Sequence, residues 1–378
     1  MAKKSGLVLS GGGARGAYQA GVLVAIYEIA KSSGVPLKFD LLSGVSAGAI
    51  NAASLASNCN DFKHATDSLA RLWSEVHFEQ VFSTDSMTMG KIGFQWVKEL
   101  SLGGIAGTTP GRGLLDTTPL RGLIHRNMDY DRVQANLEQG HLEALCITSI
   151  DYAKSATTTF VQSTETTATW DKGRKRSEHT GITTEHIMAS SAIPLLFPPV
   201  KVGERFFGDG AVRNHAPCSP VIYLGAEKLL VIGVRLQSST AYDLHAQSSQ
   251  TAPSIARVVN TILNSVLMDA VEQDIEKLRR VNDYASAITP EQQKMVSLKP
   301  LEHLFISPSE DIGEMAVQKA AKLPRIIRYL MKGLGSMQDA SEIISYLMFD
   351  PTFCSDLIEI GRKDGYAQKE ELIKYLLK

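Results

Sequence analysis

From its first residues the chain alternates short apolar runs, broken by glycine, with longer stretches of helical spacing. Residues 6–9 are apolar and end in glycines, after which Val22, Leu23, Ile26 and Ile29 recur at helical spacing across residues 17–29. The pattern predicts a strand, a tight turn and a helix. Residues 39–42 repeat it, passing through Gly44-Val45-Ser46-Ala47-Gly48 into the small-residue stretch 49–56. Further buried strands are predicted at 144–149, 158–162, 229–236 and 303–306, with helical segments between them. Strands alternating with helices imply an α/β layered fold.

The polar stretches 237–253 and 280–299 read as linkers, yet a strand is predicted after both, so the chain is expected to return to its first sheet. Across 254–278, Ile255, Val258, Val259, Ile262, Val266, Ile275 and Leu278 describe an amphipathic helix that covers the core on one side.

Charge and cysteine usage narrow the function classes. Lys and Arg total 39 against 40 Asp and Glu, so no basic footprint for nucleic acid exists. Cys59, Cys146, Cys218 and Cys354 lie far apart with no metal-ligand spacing, which predicts reduced thiols, no metal site and a cytoplasmic setting. Residues 41–60 carry no charge and could span a bilayer by length, but their Ser and Asn content argues against insertion. The apolar run at 7–9 is cut short by Gly11, Gly12, Gly13 and Arg15, so neither a cleavable signal nor a membrane span is expected.

Two motifs carry chemistry. Gly11, Gly13 and Gly16 give GxGxxG spacing between strand and helix, a weak sign of dinucleotide binding. The acidic residue that such a fold wants near the end of its second strand is missing: Asp40 precedes the leucines of that run, and the place after them is taken by Gly44-Val45-Ser46-Ala47-Gly48. What remains is a turn of backbone N–H groups at a helix N-terminus, which suits an oxyanion equally well. Gly44-x-Ser46-x-Gly48 has nucleophile-elbow spacing, with Ser46 on a sharp turn between strand and helix. Its bland alternative is a tight turn whose serine caps the helix. His215, His245 and His303 would satisfy the order of a Ser-Asp-His triad. Asp209, in Gly208-Asp209-Gly210-Ala211, reads at face value as a turn residue.

Taken in order, Gly11-Gly12-Gly13-Ala14-Arg15-Gly16, Gly44-Val45-Ser46-Ala47-Gly48, residues 189–200 (ASSAIPLLFPPV) and Asp209-Gly210-Ala211 resemble the four signatures of patatin-like phospholipases. The resemblance covers about residues 6–225, and Leu357-Ile358-Glu359-Ile360-Gly361 is similar to bacterial members. It implies a three-layer α/β/α fold with a central, mostly parallel sheet. Residues 5–222 would form the catalytic domain, and 223–378 a largely helical extension completing the same domain. It further implies a cofactor-free Ser46–Asp209 dyad without histidine, acting on phospholipids or related acyl esters. The oxyanion hole would be built from Gly11, Gly12, Gly13, Arg15 and Gly16, the elbow from Gly44 and Gly48, and the proton-acceptor motif from Gly210 and Ala211.

Two positions depart from the family pattern. Ser10 stands where many members carry an acid, and His215 where many show Asn, which leaves His215 open as an auxiliary base. Arg15 is expected to brace the glycine loop or meet a lipid phosphate, its bland alternative being a solvated charge. Phe78, Phe82, Met87, Met89, Phe94, Trp96 and the glycines across 73–105 suit an acyl channel or lid, or plain core packing. Lys172, Arg174, Lys175 and Arg176 form a basic run that is a solvated loop or a transient contact with anionic head groups. A thioesterase or acyltransferase could use the same dyad, and a lipid-binding module could keep the fold without turnover.

Overall fold

The structure is a computed structural model and describes residues 3–83, 113–164, 169–214, 216–237, 258, 261, 265, 269–295, 299–334, 336–338 and 340–377. Its strands are β1 (Ser5–Leu9), β2 (Leu41–Val45), β3 (Ala144–Asp151), β4 (Ala156–Ser163), β5 (Asp171–Lys172), β6 (Lys175–His179), β7 (Val200–Val202), β8 (Arg205–Asp209), β9 (Lys228–Ile232) and β10 (Glu302–Ile306). They form one sheet in the order β10-β9-β1-β2-β3-β4-β6-β5, with β8 beside β3 and β7 beside β8. The five strands from β10 to β3 run parallel, while β4 and β8 are antiparallel to β3.

A parallel sheet must be covered on both faces, and the strand sequences obey this. Leu7, Leu42, Leu145, Ile147 and Leu230 face one core; Val8, Leu41, Cys146, Leu229 and Val231 face the other. The first face is covered by α1 (Gly16–Ser32), α2 (Ala47–Asn58), α3 (Phe62–Ser74) and helix Pro351–Ala367. Helices Ser219–Tyr223 and Asp269–Ser286 cover the second, the latter through Val271 and Ile275. Observed β2 begins two residues later than expected and includes Gly44; β9 stops at Ile232, short of the predicted 236. The expected helix at 254–278 is described from Asp269 and runs on to Ser286.

Contact between α1 and helix Pro351–Ala367 depends on small residues. A Cβ on Gly21 would meet the Ile358 carbonyl oxygen at 1.9 Å, and one on Gly361 the Tyr18 oxygen at 2.1 Å. Such backbone approach explains the Leu357-Ile358-Glu359-Ile360-Gly361 segment singled out in the sequence. Tyr18 donates its hydroxyl to Asp364 across the same contact, at 3.1 Å.

Among the described residues no helix is long and apolar enough to cross a membrane. The uncharged stretch 41–60 is β2, the elbow and α2. All four cysteines are free thiols, and burial pushes that of Cys146 up to about 12. The basic run is a hairpin of β5 and β6, where a solvated loop was the plainer expectation. Lys172 Nζ sits 4.2 Å from the Tyr223 ring centre, and Arg176 pairs with Asp171 at 3.3 Å.

Candidate active site

Sheet register brings Ser46 and Asp209 together. Val45, the last residue of β2, pairs with Thr148 of β3; the next residue of β3, Ser149, pairs with Asp209 of β8. At Ser46 the chain leaves the sheet to start α2, and β8 enters from the opposite direction to fill the vacated place. Asp209 therefore lies beside the nucleophile candidate although 163 positions separate them in the numbering.

The elbow is sharp. Ser46 has φ 55° and ψ −126°, a conformation few side-chain-bearing residues adopt. Its flanking glycines are required by contact: a Cβ on Gly44 would meet the Gly48 oxygen at 2.1 Å, and one on Gly48 the Leu9 oxygen at 2.1 Å. Two further serines, quoted in the sequence pattern but given no role there, hold the turn. Ser190 accepts the Ser46 N–H at 2.9 Å and donates to the Thr148 carbonyl at 2.6 Å. Ser191 donates to the Ser46 carbonyl at 3.3 Å.

Ser46 is 2% exposed and Asp209 1%. Burial raises the Asp209 pKa from 3.8 to about 6, against the lowering effect of hydrogen bonds from the Ser46 side chain and the Ala211 N–H. The Ala211 bond is 2.9 Å long. Gly210 is needed for passage, since a Cβ there would meet the Thr148 oxygen at 2.2 Å. What the arrangement offers is a hydroxyl beside a carboxylate that burial makes more basic than usual.

The glycine loop lies against the elbow: a Cβ on Gly11 would stand 3.0 Å from that of Ser46. Within it the Arg15 N–H bonds the Gly12 carbonyl at 3.1 Å, and the Gly16 N–H bonds the Gly13 and Ala14 carbonyls. These two N–H groups are committed to the turn. Gly13 takes φ +56° and touches the Tyr346 carbonyl, which a Cβ would approach to 2.3 Å. The Arg15 guanidinium is 1% exposed, so it is neither a solvated charge nor open to a lipid phosphate. It bonds Ser345 Oγ at 2.7 Å, the Val234 carbonyl at 3.3 Å and the Glu342 carboxylate, and so acts as the expected brace. A cavity of about 20 Å³ beside the elbow is lined by Gly11, Val45, Ala211 and Asn214, with room for about one water. The roomier cleft, about 600 Å³ around His64 and Arg132, lies between α3 and the start of helix Tyr130–Glu138, away from the elbow.

Of the triad candidates, His303 pairs in register with Leu229, which pairs with Gly6, itself paired with Leu41. That places it at the level of the start of β2, about 15 Å along the strands from Ser46. Its Nδ1 is bonded to the Leu301 carbonyl at 3.2 Å. His215 and His245 lie outside the described residues, as do Met87, Met89, Phe94, Trp96 and the glycines of the lid expectation. Phe78 and Phe82 are buried core residues, in ring contact with each other.

The sequence model of the patatin-like phospholipases matches residues 7–222, which is more than half of the chain. The chain belongs to the patatin-like phospholipase family. Lipid acyl hydrolysis is the activity that membership supports. Among solved structures, VipD from Legionella pneumophila is 13% identical, with 98% of this chain and 67% of VipD covered and a TM-score of 0.34. The type III effector protein ExoU is 16% identical, with 90% and 77% covered and a TM-score of 0.27. A search of curated proteins finds no match. The patatin-like match ends before β9, so Val234, Glu342, Ser345 and Tyr346, which hold Arg15 and Gly13, all lie beyond it.

Proposed function

We propose that this chain is a serine lipid acyl hydrolase that cleaves carboxylic esters of phospholipids or related acyl esters through Ser46 and Asp209. The observation that carries the reading is the sheet register that sets a strained, buried serine beside a buried carboxylate, whose pKa burial raises to about 6. Ser46 Oγ attacks the ester carbonyl carbon while its proton passes to Asp209. Negative charge on the carbonyl oxygen is met by N–H groups of Gly11–Gly13 and by the N-terminal end of α2, which begins at Ala47. Collapse of the tetrahedral adduct expels the alcohol, which takes the proton from Asp209 and leaves an acyl-Ser46. Water then attacks the acyl carbon, gives its proton to Asp209, and the fatty acid leaves as the proton returns to Ser46 Oγ.

A carboxylate of ordinary pKa is a poor base for a serine hydroxyl, and the raised value brings Asp209 nearer to the pH at which it must work. Arg15 and Gly16 serve in this reading by shaping the loop, through the turn bonds and the buried guanidinium.

A fluorophosphonate probe followed by peptide mapping tests the assignment. Labelling is expected on Ser46 alone and is expected to vanish in Ser46→Ala. Label on another serine, or hydrolysis at the wild-type rate by the purified variant, refutes it.

A further inference from the structure

Tyr346 carries a hydroxyl to which the site gives no work. The residue is buried in the helix Ser341–Leu347, and its phenol oxygen is closed to solvent with no hydrogen-bond partner among the described residues. A buried donor without an acceptor weakens the fold, and a phenylalanine of the same shape would not carry that penalty. Such a group calls for an acceptor that arrives from outside the protein.

The surroundings of the phenol are those of the glycine loop. The Tyr346 backbone bears directly on Gly13, where a Cβ would come within 2.3 Å of the carbonyl oxygen and 3.0 Å of the Cα. The Arg15 guanidinium lies 5.7 Å from the ring centre. Four charges act on the hydroxyl: those of Arg15 and Glu342, which pair with each other, and those of Asp209 and Arg235. Arg235 lines the small cavity beside the elbow together with Gly11, Val45 and Ala211. The hydroxyl is therefore near both the loop and the carboxylate that stands beside Ser46. Burial, more than any of these charges, pushes the phenol above its ordinary range, so it keeps its hydrogen at every pH at which Asp209 is ionised and still folded.

We propose that the Tyr346 hydroxyl is a further catalytic donor, which hydrogen-bonds the ester carbonyl oxygen as that oxygen becomes an oxyanion at Ser46. This rests on the reading that esters are cleaved at Ser46. In that reading the Arg15 and Gly16 N–H groups are committed to the loop's own turn, which leaves few backbone donors for the oxyanion. An O–H held without a protein acceptor meets the developing charge with no bond to give up first. The hydrogen stays on the phenol throughout, so the proton path between Ser46 and Asp209 is unchanged. Tyr346 lies beyond residues 7–222, so the donor comes from outside the part of the chain that the family model describes.

Tyr346→Phe tests this in the full chain, with Tyr375→Phe as control. Tyr375 carries a second buried phenol without a partner among the described residues, and its ring centre is 5.0 Å from the Nζ of Lys228. Lys228 pairs in register with Ser5 at the start of β1, the end of the sheet away from Ser46. Both variants should melt at or above the wild-type temperature, since each loses an unpaired buried hydroxyl. Turnover should fall in Tyr346→Phe alone: kcat on a soluble short-chain ester is expected to drop about a hundredfold, with KM within about threefold of wild type. Fluorophosphonate labelling of Ser46 should slow in parallel. A kcat within about twofold of wild type in Tyr346→Phe overturns the proposal. A lowered melting temperature in that variant also overturns it, by showing that the hydroxyl has a partner inside the folded protein. Equal loss of turnover in Tyr375→Phe does so as well, because the effect is then not particular to the loop. Ser46→Ala is measured beside them. Hydrolysis by Ser46→Ala counts against the serine reading itself, whereas an inactive Ser46→Ala with an unimpaired Tyr346→Phe removes the phenol alone.

Discussion

Arg15 and Glu342 are 327 residues apart in the chain and meet as an ion pair behind the glycine loop, the guanidinium fully enclosed. Together with Ser345 and the Val234 carbonyl they fix the arginine from three sides. Removing one member of a buried pair leaves the other charge uncompensated, so Glu342→Gln is expected to destabilise the fold by about 3 kcal/mol. Replacing both, as Arg15→Met with Glu342→Leu, should recover most of that stability without recovering turnover, since the guanidinium brace behind the loop is then gone. Thermal unfolding and soluble-ester kinetics on the single and double variants check this. Wild-type turnover in the double variant would show that the brace has no bearing on catalysis.

The Asp209 carboxyl sets a pH dependence. Its folded pKa of about 6 lies above the ordinary 3.8, so the folded state holds a proton that the unfolded state has released. Acylation should rise about tenfold per unit as pH climbs toward 6 and level off above it, as the base ionises. Stability runs the other way: the contribution of this group is fully present below about pH 4 and is lost as pH rises through 6. At roughly 1.4 kcal/mol per unit the loss is about 3 kcal/mol. Asp209→Asn should therefore unfold at higher denaturant than wild type at pH 8, and turn over at least about a hundredfold more slowly. Equal pH profiles of stability for the two proteins would remove Asp209 as the titrating group.

Strain at Ser46 makes a second stability–activity contrast. Ser46→Gly removes the side chain from a backbone conformation that favours glycine, and is expected to gain about 1 kcal/mol while abolishing acylation. Denaturant titration beside fluorophosphonate labelling gives both quantities. A less stable glycine variant would mean that the serine contacts outweigh the strain.

Ser190→Ala should cost about 2 kcal/mol, because it leaves both the Ser46 N–H and the Thr148 carbonyl without their partner. The elbow would loosen, and kcat should fall more than tenfold with the label still reaching Ser46. His303→Ala, at the far end of the sheet, is expected to keep most activity. Comparable loss in both variants, each folded by circular dichroism, would reopen the histidine question.

Much of this was legible in the sequence because the signals are local. Strands β1, β3, β9 and β10 carry short apolar runs, β4 a run of β-branched and aromatic residues, and both glycine turns carry their own spacing. β2 slipped because Phe39 is buried ahead of the strand and Gly44, read as a turn residue, still pairs with Ile147. β8 was missed: Arg205-Phe206-Phe207-Gly208-Asp209 has too few apolar positions to show a period, so Asp209 read as a turn residue. The braces were not legible at all. Ser190 reaches Ser46 across 144 residues and Glu342 reaches Arg15 across 327, distances at which spacing carries no information.

The contact between Gly13 and the Tyr346 carbonyl has a bearing on biosynthesis. A ribosome makes Arg15 of the glycine loop 327 residues before Glu342 of the helix Ser341–Leu347. Strands β1 to β8 can pair as they emerge, but the loop has no support for Arg15 or Gly13 until that late helix arrives. A nascent chain thus carries Ser46 and Asp209 long before the turn beside them is fixed. On the proposed reading, competence waits for residues 341–347, and a chain that stalls before residue 341 leaves the ribosome with Ser46 unsupported.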